Sequence, residues 1–283
     1  MNAPDKAFEA AKASLIGNRS CNQDRCLVLS NGSTVLLGLA DGLGGHPRGE
    51  VAAQIVVDVC ETLFRRAPSP LPDPEHFMLQ CIGKAHQAIL RFGQRQSPPI
   101  TPRTTAVLAV IQSGMAYWVH VGDSRLYLIR DGRILRQTRD HAQIRFVRGG
   151  AHERSRPRAS LTRCLGGLTK PPTTTCSTPT LLQRHDALVL CSDGLWGQIE
   201  NNALADAFGR HQAVLAESLQ SLLAAAATRP NSDNVTAVVL RWLTTAATSE
   251  NKAATLESPN DPQLDQAVQH LKSMLEKSGQ TEP

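Results

Sequence analysis

The sequence predicts an α+β fold. Short apolar runs separated by Gly, Asn, Asp and Ser recur in hairpin order, which reads as antiparallel strands. Segments with helical apolar spacing come in pairs between those runs. Strands in hairpin order with helix pairs between them belong to the α+β class. With 283 residues, 41% of them hydrophobic, the chain can bury one large core and carry a tail besides.

Taken in order, residues 1–13 are polar and alanine-rich and are expected to form a flexible N-terminus. One domain is expected over 14–243. Apolar runs at 26–29 and 34–40 flank Ser30-Asn31-Gly32-Ser33 and read as a β-hairpin. Val51, Ile55, Val59 and Leu63 mark a helix over 49–66, a proline-rich break follows at 68–74, and 77–92 repeats the helical pattern. Strands are expected at 105–111, 115–121, 125–130 and 134–136, with turns at Ser113-Gly114 and Asp131-Gly132. Further strands are expected at 175–182 and 187–191, then helices over 201–209 and 212–228, then a last strand at 235–240. Residues 244–260, rich in Ser, Thr, Ala and Asn, read as a linker. Leu264, Ala267, Val268, Leu271, Met274 and Leu275 form one apolar stripe, so 261–283 is expected to hold a C-terminal amphipathic helix and tail.

Composition narrows the class. A net charge of +5 is too modest to imply nucleic acid. The charge is uneven: seven arginines lie between Arg139 and Arg163 against Asp140 and Glu153. That density suits either a phosphorylated or acidic partner or a solvated loop. The seven cysteines form no C-x-x-C pair and sit mostly in apolar runs, the usage of a reducing compartment. Residues 1–17 hold no apolar core of a signal peptide, and no run approaches a membrane span. A cytoplasmic monomer without membrane or nucleic-acid partners is expected. Cys60 and Arg66 match a C-x5-R spacing, but no glycine lies between them to form a phosphate cradle, so Cys60 reads as a core residue.

The chemistry is concentrated in aspartates. Asp41 and Asp193 each follow a buried-strand pattern and precede a glycine, in Ala40-Asp41-Gly42 and Ser192-Asp193-Gly194. An acid at the end of a buried strand is costly unless paired or bound to a metal. Asp24, Asp123 and Asp233 also sit at expected strand ends. Such an oxygen-donor set, with no matching Cys or His set, fits Mg²⁺ or Mn²⁺ and argues against zinc. Two such ions about 3.5–4 Å apart can share a hydroxide whose pKa falls from about 15.7 to roughly 7, a nucleophile suited to in-line attack on phosphate. Arg19, five residues before Asp24, can grip phosphate oxygens in a bidentate fork.

The runs Arg19…Asn22-Gln23-Asp24, Asp41-Gly42-Leu43-Gly44-Gly45-His46, Thr104-Thr105-Ala106, Gly122-Asp123-Ser124-Arg125, Leu161-Thr162-Arg163…Leu165-Gly166, Ser192-Asp193-Gly194-Leu195-Trp196 and Asp233-Asn234-Val235-Thr236 occur in this order across about 15–242. Together they closely resemble the metal-dependent serine/threonine phosphatases of the protein phosphatase 2C type, bacterial members above all. The resemblance implies two packed antiparallel sheets flanked by helices on both outer faces. It implies that Asp41 bridges two metals with the Gly42 carbonyl on the second, that Asp193 and Asp233 complete the first, and that Asp24 holds metal-bound waters. Asp123 with Asp193 would make a weaker third site, and Arg19 would hold the substrate phosphate. The implied activity is hydrolysis of phosphoserine and phosphothreonine in proteins by a metal-bridging hydroxide, with phosphorylated proteins as substrates and a cognate serine/threonine kinase as antagonist. A phosphatase acting on an anti-sigma-factor antagonist is a third reading, with the same core chemistry.

Two positions depart from the family pattern. Gln23 stands where many members have Glu, and Leu43 stands where animal members have a histidine proposed as proton donor. His46 and a metal-bound water are the candidates for that proton. The segment 141–160 is short for the flap of bacterial relatives. The rival reading, a non-catalytic pseudophosphatase or phosphoprotein-binding module, would be marked by loss of metal aspartates, and Asp24, Asp41, Asp193 and Asp233 are all present.

Overall fold

A computed structural model describes residues 7–147, 156–167, 169–209 and 213–244, with side chains described outside 143–147 and 156–160. The expected linker and C-terminal helix lie outside the described residues. So does the stretch 148–155 of the arginine-rich segment.

Two antiparallel sheets carry the fold. One contains β1 (Phe8–Leu15), β6 (Arg125–Arg130), β7 (Arg133–Gln137), β12 (Ala187–Cys191) and β13 (Val235–Trp242), in the order β1-β13-β12-β6-β7. The other contains β2 (Asp24–Asn31), β3 (Thr34–Asp41), β4 (Ala106–Gln112), β5 (Met115–Val121) and β10 (Thr175–Cys176), in the order β10-β5-β4-β3-β2, with β11 (Thr180–Leu181) also on β5. Helices α1 (Gly49–Phe64) and α2 (Pro74–Gln94) connect β3 to β4. The helices α3 (Asp193–Trp196), α4 (Asn201–Gly209) and α5 (Leu215–Ala227) connect β12 to β13.

Side-chain alternation builds the layers. On β3, Val35, Leu37 and Leu39 point into the inter-sheet core, where they meet Leu126, Leu188, Leu190, Val238 and Leu240. Leu36 and Ala40, on the opposite face, pack under α1 and α2 with Ala52, Val56, Met78 and Ile89. On the other sheet, Tyr127, Val189 and Val239 face α4 and α5 through Phe208, Leu219 and Leu223. Each central strand is therefore covered on both faces. This explains why β3, β4, β12 and β13 read as continuous apolar runs rather than half-polar alternations. The layers run helix, sheet, sheet, helix, as the resemblance implies.

Helix starts follow local chemistry. Asp73 caps α2 by accepting from the His76 N–H at 2.9 Å, and Pro74 sits where no backbone donor is needed. Cys60 is fully buried within α1, as its apolar surroundings require. Among the described residues no helix is long and apolar enough to cross a membrane.

Three expectations need correction. The supposedly flexible N-terminus supplies β1, whose eight residues pair along β13 from Phe8↔Trp242 to Leu15↔Val235. Its alternation is built from Phe8 and Ala10 on one face and Ala11 and Ala13 on the other, small residues whose signal Glu9 and Lys12 dilute. The expected strand over 175–182 is two short pieces on β5, interrupted around Pro179. Part of the arginine-rich segment forms a separate two-stranded sheet, β8 (Ala142–Val147) with β9 (Arg156–Leu161).

Candidate active site

The site forms at one end of the sandwich, where strand ends from both sheets meet. Asp24 opens β2 and Asp41 closes β3, and the two are paired directly across the ladder. Asp123 lies in the crossing from β5 to β6, Asp193 follows β12 at the start of α3, and Asp233 precedes β13. Arg19 lies in the loop between β1 and β2. A cleft of about 330 Å³ is lined by Arg19, Asp41, Gly42, Asp123, Asp193 and Asp233, along with Leu43 and Asn234. Asp24 sits behind it, 3% exposed.

Backbone geometry holds the loops close. A Cβ on Gly42 would lie 2.5 Å from the Gly49 carbonyl, so the turn after Asp41 admits no side chain. Gly122 has φ +111°, and a Cβ there would fall 2.6 Å from Thr105 Cγ2. Thr105 fastens this corner. Its N–H donates to the Asp41 carbonyl at 2.8 Å, its Oγ1 accepts from the Asp41 N–H at 3.1 Å, and that Oγ1 lies 2.6 Å from Ser124 Oγ.

Polar residues behind the cleft set the carboxylates. Ser192 Oγ donates to Asp24 Oδ2 at 2.8 Å and accepts from the Thr236 N–H at 3.1 Å. Asn234 ties the Arg19 loop to β13. Its Nδ2 donates to the carbonyls of Ile16 (2.8 Å) and Cys21 (3.0 Å), and its Oδ1 accepts from the Gln23 N–H at 2.9 Å. Trp196 Nε1 donates to the Asp123 carbonyl at 3.0 Å, and the Arg125 guanidinium lies 3.6 Å from the Trp196 ring centroid. Arg125 in turn forms two 2.8 Å hydrogen bonds to Asp140. Ser192, Asn234, Trp196 and Asp140 carry supporting roles that the sequence does not assign. For Ser192 and Asn234 the signal is a polar side chain next to the end of an apolar strand, whereas Trp196 lies in α3 and Asp140 between β7 and β8, where no strand pattern marks them.

Electrostatics in the cluster are unfavourable to charge. Burial, with Asp193 nearby, pushes Asp24 up to about 7. Asp41 is raised well above the usual carboxylate range, first by burial and then by Asp24, Asp193 and Asp123. Asp123 is pushed up to about 6 by burial and then Asp193. Asp193 is raised by burial and then Asp233. Asp24 Oδ1 is buried with no hydrogen-bond partner. Acids crowded in this way call for a hard cation as counter-charge. Among the described residues no three His, Cys, Asp or Glu side chains close on a single point as a finished ligand set; the carboxylates share the cleft instead.

Two placements sharpen the sequence reading. Arg19 Nη2 lies 2.6 Å from Asp233 Oδ2, so the expected phosphate-binding cation is paired with an expected metal ligand. His46 does not line the cleft, whereas Leu43 does. His46 is held below the ordinary imidazole range, chiefly by burial and then by Arg103.

The family model described as Protein phosphatase 2C matches residues 13–243. The serine/threonine protein phosphatase PstP of Mycobacterium tuberculosis strain H37Rv is 31% identical over 244 residues, covering 81% of this chain and 46% of the relative. The chain thus spans about half the length of that relative. The crystal structure of M. tuberculosis PstP/Ppp superposes with a TM-score of 0.69 at 29% identity, over 84% of this chain and 99% of that one. The catalytic domain of PstP in complex with two manganese ions gives a TM-score of 0.67 at 29% identity, with the same coverage of 84% and 99%.

Proposed function

The chain belongs to the protein phosphatase 2C family, and on that premise we propose that it is a metal-dependent hydrolase of phosphoserine and phosphothreonine in proteins, acting as a cytoplasmic monomer and opposing a serine/threonine kinase. One observation carries this reading: Asp41, Asp123, Asp193 and Asp233 line a single cleft with Arg19. Their donors are hard oxygens, which suit Mn²⁺ or Mg²⁺. Asp41 would bridge two ions, the Gly42 carbonyl would serve the second, and Asp193 and Asp233 would complete the first. Asp123 with Asp193 would offer a third, weaker site. Asp24, with its unpartnered Oδ1, would hold ordered water from behind. When bound, two divalent ions lower the pKa of water to roughly 7 and offset the charge of the phosphate.

The chain's own residues supply the rest. Arg19 is half-exposed at the cleft, so its guanidinium can exchange Asp233 for the non-bridging oxygens of a phosphate. That exchange leaves Asp233 available as a ligand. Ser192 holds Asp24 in one orientation, and Asn234 holds the loop that carries Arg19. Leu43 contributes bulk but no proton. Among the described residues lining the cleft there is no imidazole, and His46 is not one of them, so water held at the site would be the proton donor to the departing alkoxide among the candidates named.

Phosphate release from phosphothreonine and phosphoserine peptides tests this reading. Turnover is expected in Mn²⁺, silence in excess chelator, and recovery when Mn²⁺ is restored. Full turnover in excess chelator would contradict it.

A further inference from the structure

A second hollow, of about 420 Å³, adjoins the cleft, and Leu161 lines both. Three cations face it, Arg103, Arg163 and Lys170, and among the described residues no acid lines it. Arg103 Nε is buried without a hydrogen-bond partner. Among the described residues Arg163 Nη1 reaches neutral groups, at 3.3 Å each: His141 Nε2 and the Thr173 carbonyl. Three cations around one concavity with no counter-charge among the described residues repel each other, and a buried guanidinium N–H without an acceptor is costly. An anion entering the hollow would relieve both.

The hollow is coupled to the catalytic loop through the backbone. The Arg103 carbonyl accepts from the Leu43 N–H at 2.9 Å, and Thr104 bridges Gly42 on one side and Leu165 on the other. Arg103 therefore stands immediately behind the turn that follows Asp41. An extended peptide advances about 3.3–3.6 Å per residue. A substrate with its phosphorylated side chain in the cleft can thus bring a residue a few positions away over the hollow.

We propose that Arg103, Arg163 and Lys170 form an anion subsite that selects substrates carrying a second negative group, a carboxylate or a second phosphate, within a few residues of the phosphoserine or phosphothreonine. The proposal rests on the phosphatase reading for its substrate, and it names a specificity that the reading alone does not contain. Arg103 and Lys170 act on substrate binding and take no part in the chemical step. The planar fork of Arg103 suits a carboxylate or phosphate, with Lys170 as a point charge at the exposed side.

The test compares the full-length wild type with R103Q, K170Q and the double variant. Four Mn²⁺-supported substrates are used: a neutral phosphothreonine peptide, the same peptide with aspartates on either side, the same peptide with a flanking phosphoserine, and a small aryl phosphate. In the wild type the two anionic peptides should show KM lower than the neutral peptide by roughly tenfold. The double variant should abolish that advantage, with kcat within about twofold and the neutral peptide and aryl phosphate unchanged. An advantage confined to one anionic peptide identifies the source of the anion. Equal losses on all four substrates, or no loss on any, overturn the subsite. Anisotropy of the fluorescent anionic peptides in excess chelator separates this proposal from the phosphatase reading. Weaker binding by the double variant upholds the subsite even if the wild type turns nothing over, and identical binding overturns it.

Discussion

Asp24 and Asp41 face each other directly across the β2–β3 ladder, two carboxylates in one cross-strand pair at the mouth of a buried core. Like charges in that relationship destabilise a sheet. The pair is retained where a hydrophobic or neutral pair would be more stable, which places its value in function. Asp41→Asn should therefore raise the melting temperature of the metal-free protein by about 2–4 °C while lowering kcat by at least about a thousandfold. Thermal unfolding in chelator, beside a phosphopeptide assay in Mn²⁺, checks both halves. A destabilised Asp41→Asn would show that the carboxylate is structural.

Burial of Asp24, with Asp193 nearby, makes metal-free stability depend on pH in an unusual direction. Asp24 titrates near 7 in the folded chain, well above an ordinary aspartate. Between about 4 and 7 the folded state therefore binds more protons at this group than the unfolded state, so its contribution to stability falls as pH rises. Asp24→Asn removes that loss. In chelator, its melting temperature should exceed the wild type's by an amount that grows from pH 4 to pH 7 and then levels off. A difference that shrinks over that range would reverse the assigned sign.

Arg19 is paired with Asp233 at 2.6 Å, yet both are substantially exposed, so the pair adds little to stability. Its worth should show in substrate binding. Arg19→Ala should raise KM for a small aryl phosphate roughly tenfold and lower kcat less, with the melting temperature within about 2 °C of wild type. An unchanged KM would remove Arg19 from the phosphate site.

Asn234 satisfies three backbone groups of the Arg19 loop and its neighbours. Asn234→Ala leaves those groups without partners, at a cost of about 2–3 kcal/mol. A melting temperature lower by about 4–8 °C is expected, with KM rising because Arg19 loses its support. A loss of stability with unchanged KM would separate the loop from phosphate binding.

Trp196 links Asp123 to the Arg125–Asp140 pair. Trp196→Phe keeps a ring under Arg125 and deletes one donor. The Mn²⁺ concentration giving half-maximal activity should rise several-fold, while kcat at saturating Mn²⁺ changes less than about twofold. Unaltered Mn²⁺ dependence would show that the Asp123 carbonyl needs no such support.

Much of this was legible in the chain because the central strands are covered on both faces and so carry strong apolar signals. Met115–Val121, Arg125–Arg130 and Ala187–Cys191 have the bounds their sequences suggest. The site aspartates could be found because an acid at either end of such a run is conspicuous. β1 was hidden because an edge strand of alanines with Glu9 and Lys12 has little apolar contrast. The β8–β9 pairing was hidden because β9 carries Arg156, Pro157 and Arg158 and β8 is a short mixed run, so neither shows a clear apolar alternation. The Arg19–Asp233 pair and the Asn234 clamp join residues more than 200 positions apart, and no local pattern encodes such contacts.

Calorimetric titration of the metal-free protein with Mn²⁺ tests most directly the claim that the aspartate cluster is a binuclear metal site. Binding of about two equivalents is expected for the wild type, with phosphopeptide turnover appearing as those equivalents fill, and Asp41→Asn and Asp193→Asn should each lose at least one of them. Equal stoichiometry in all three proteins, or full turnover before any Mn²⁺ binds, would contradict the account.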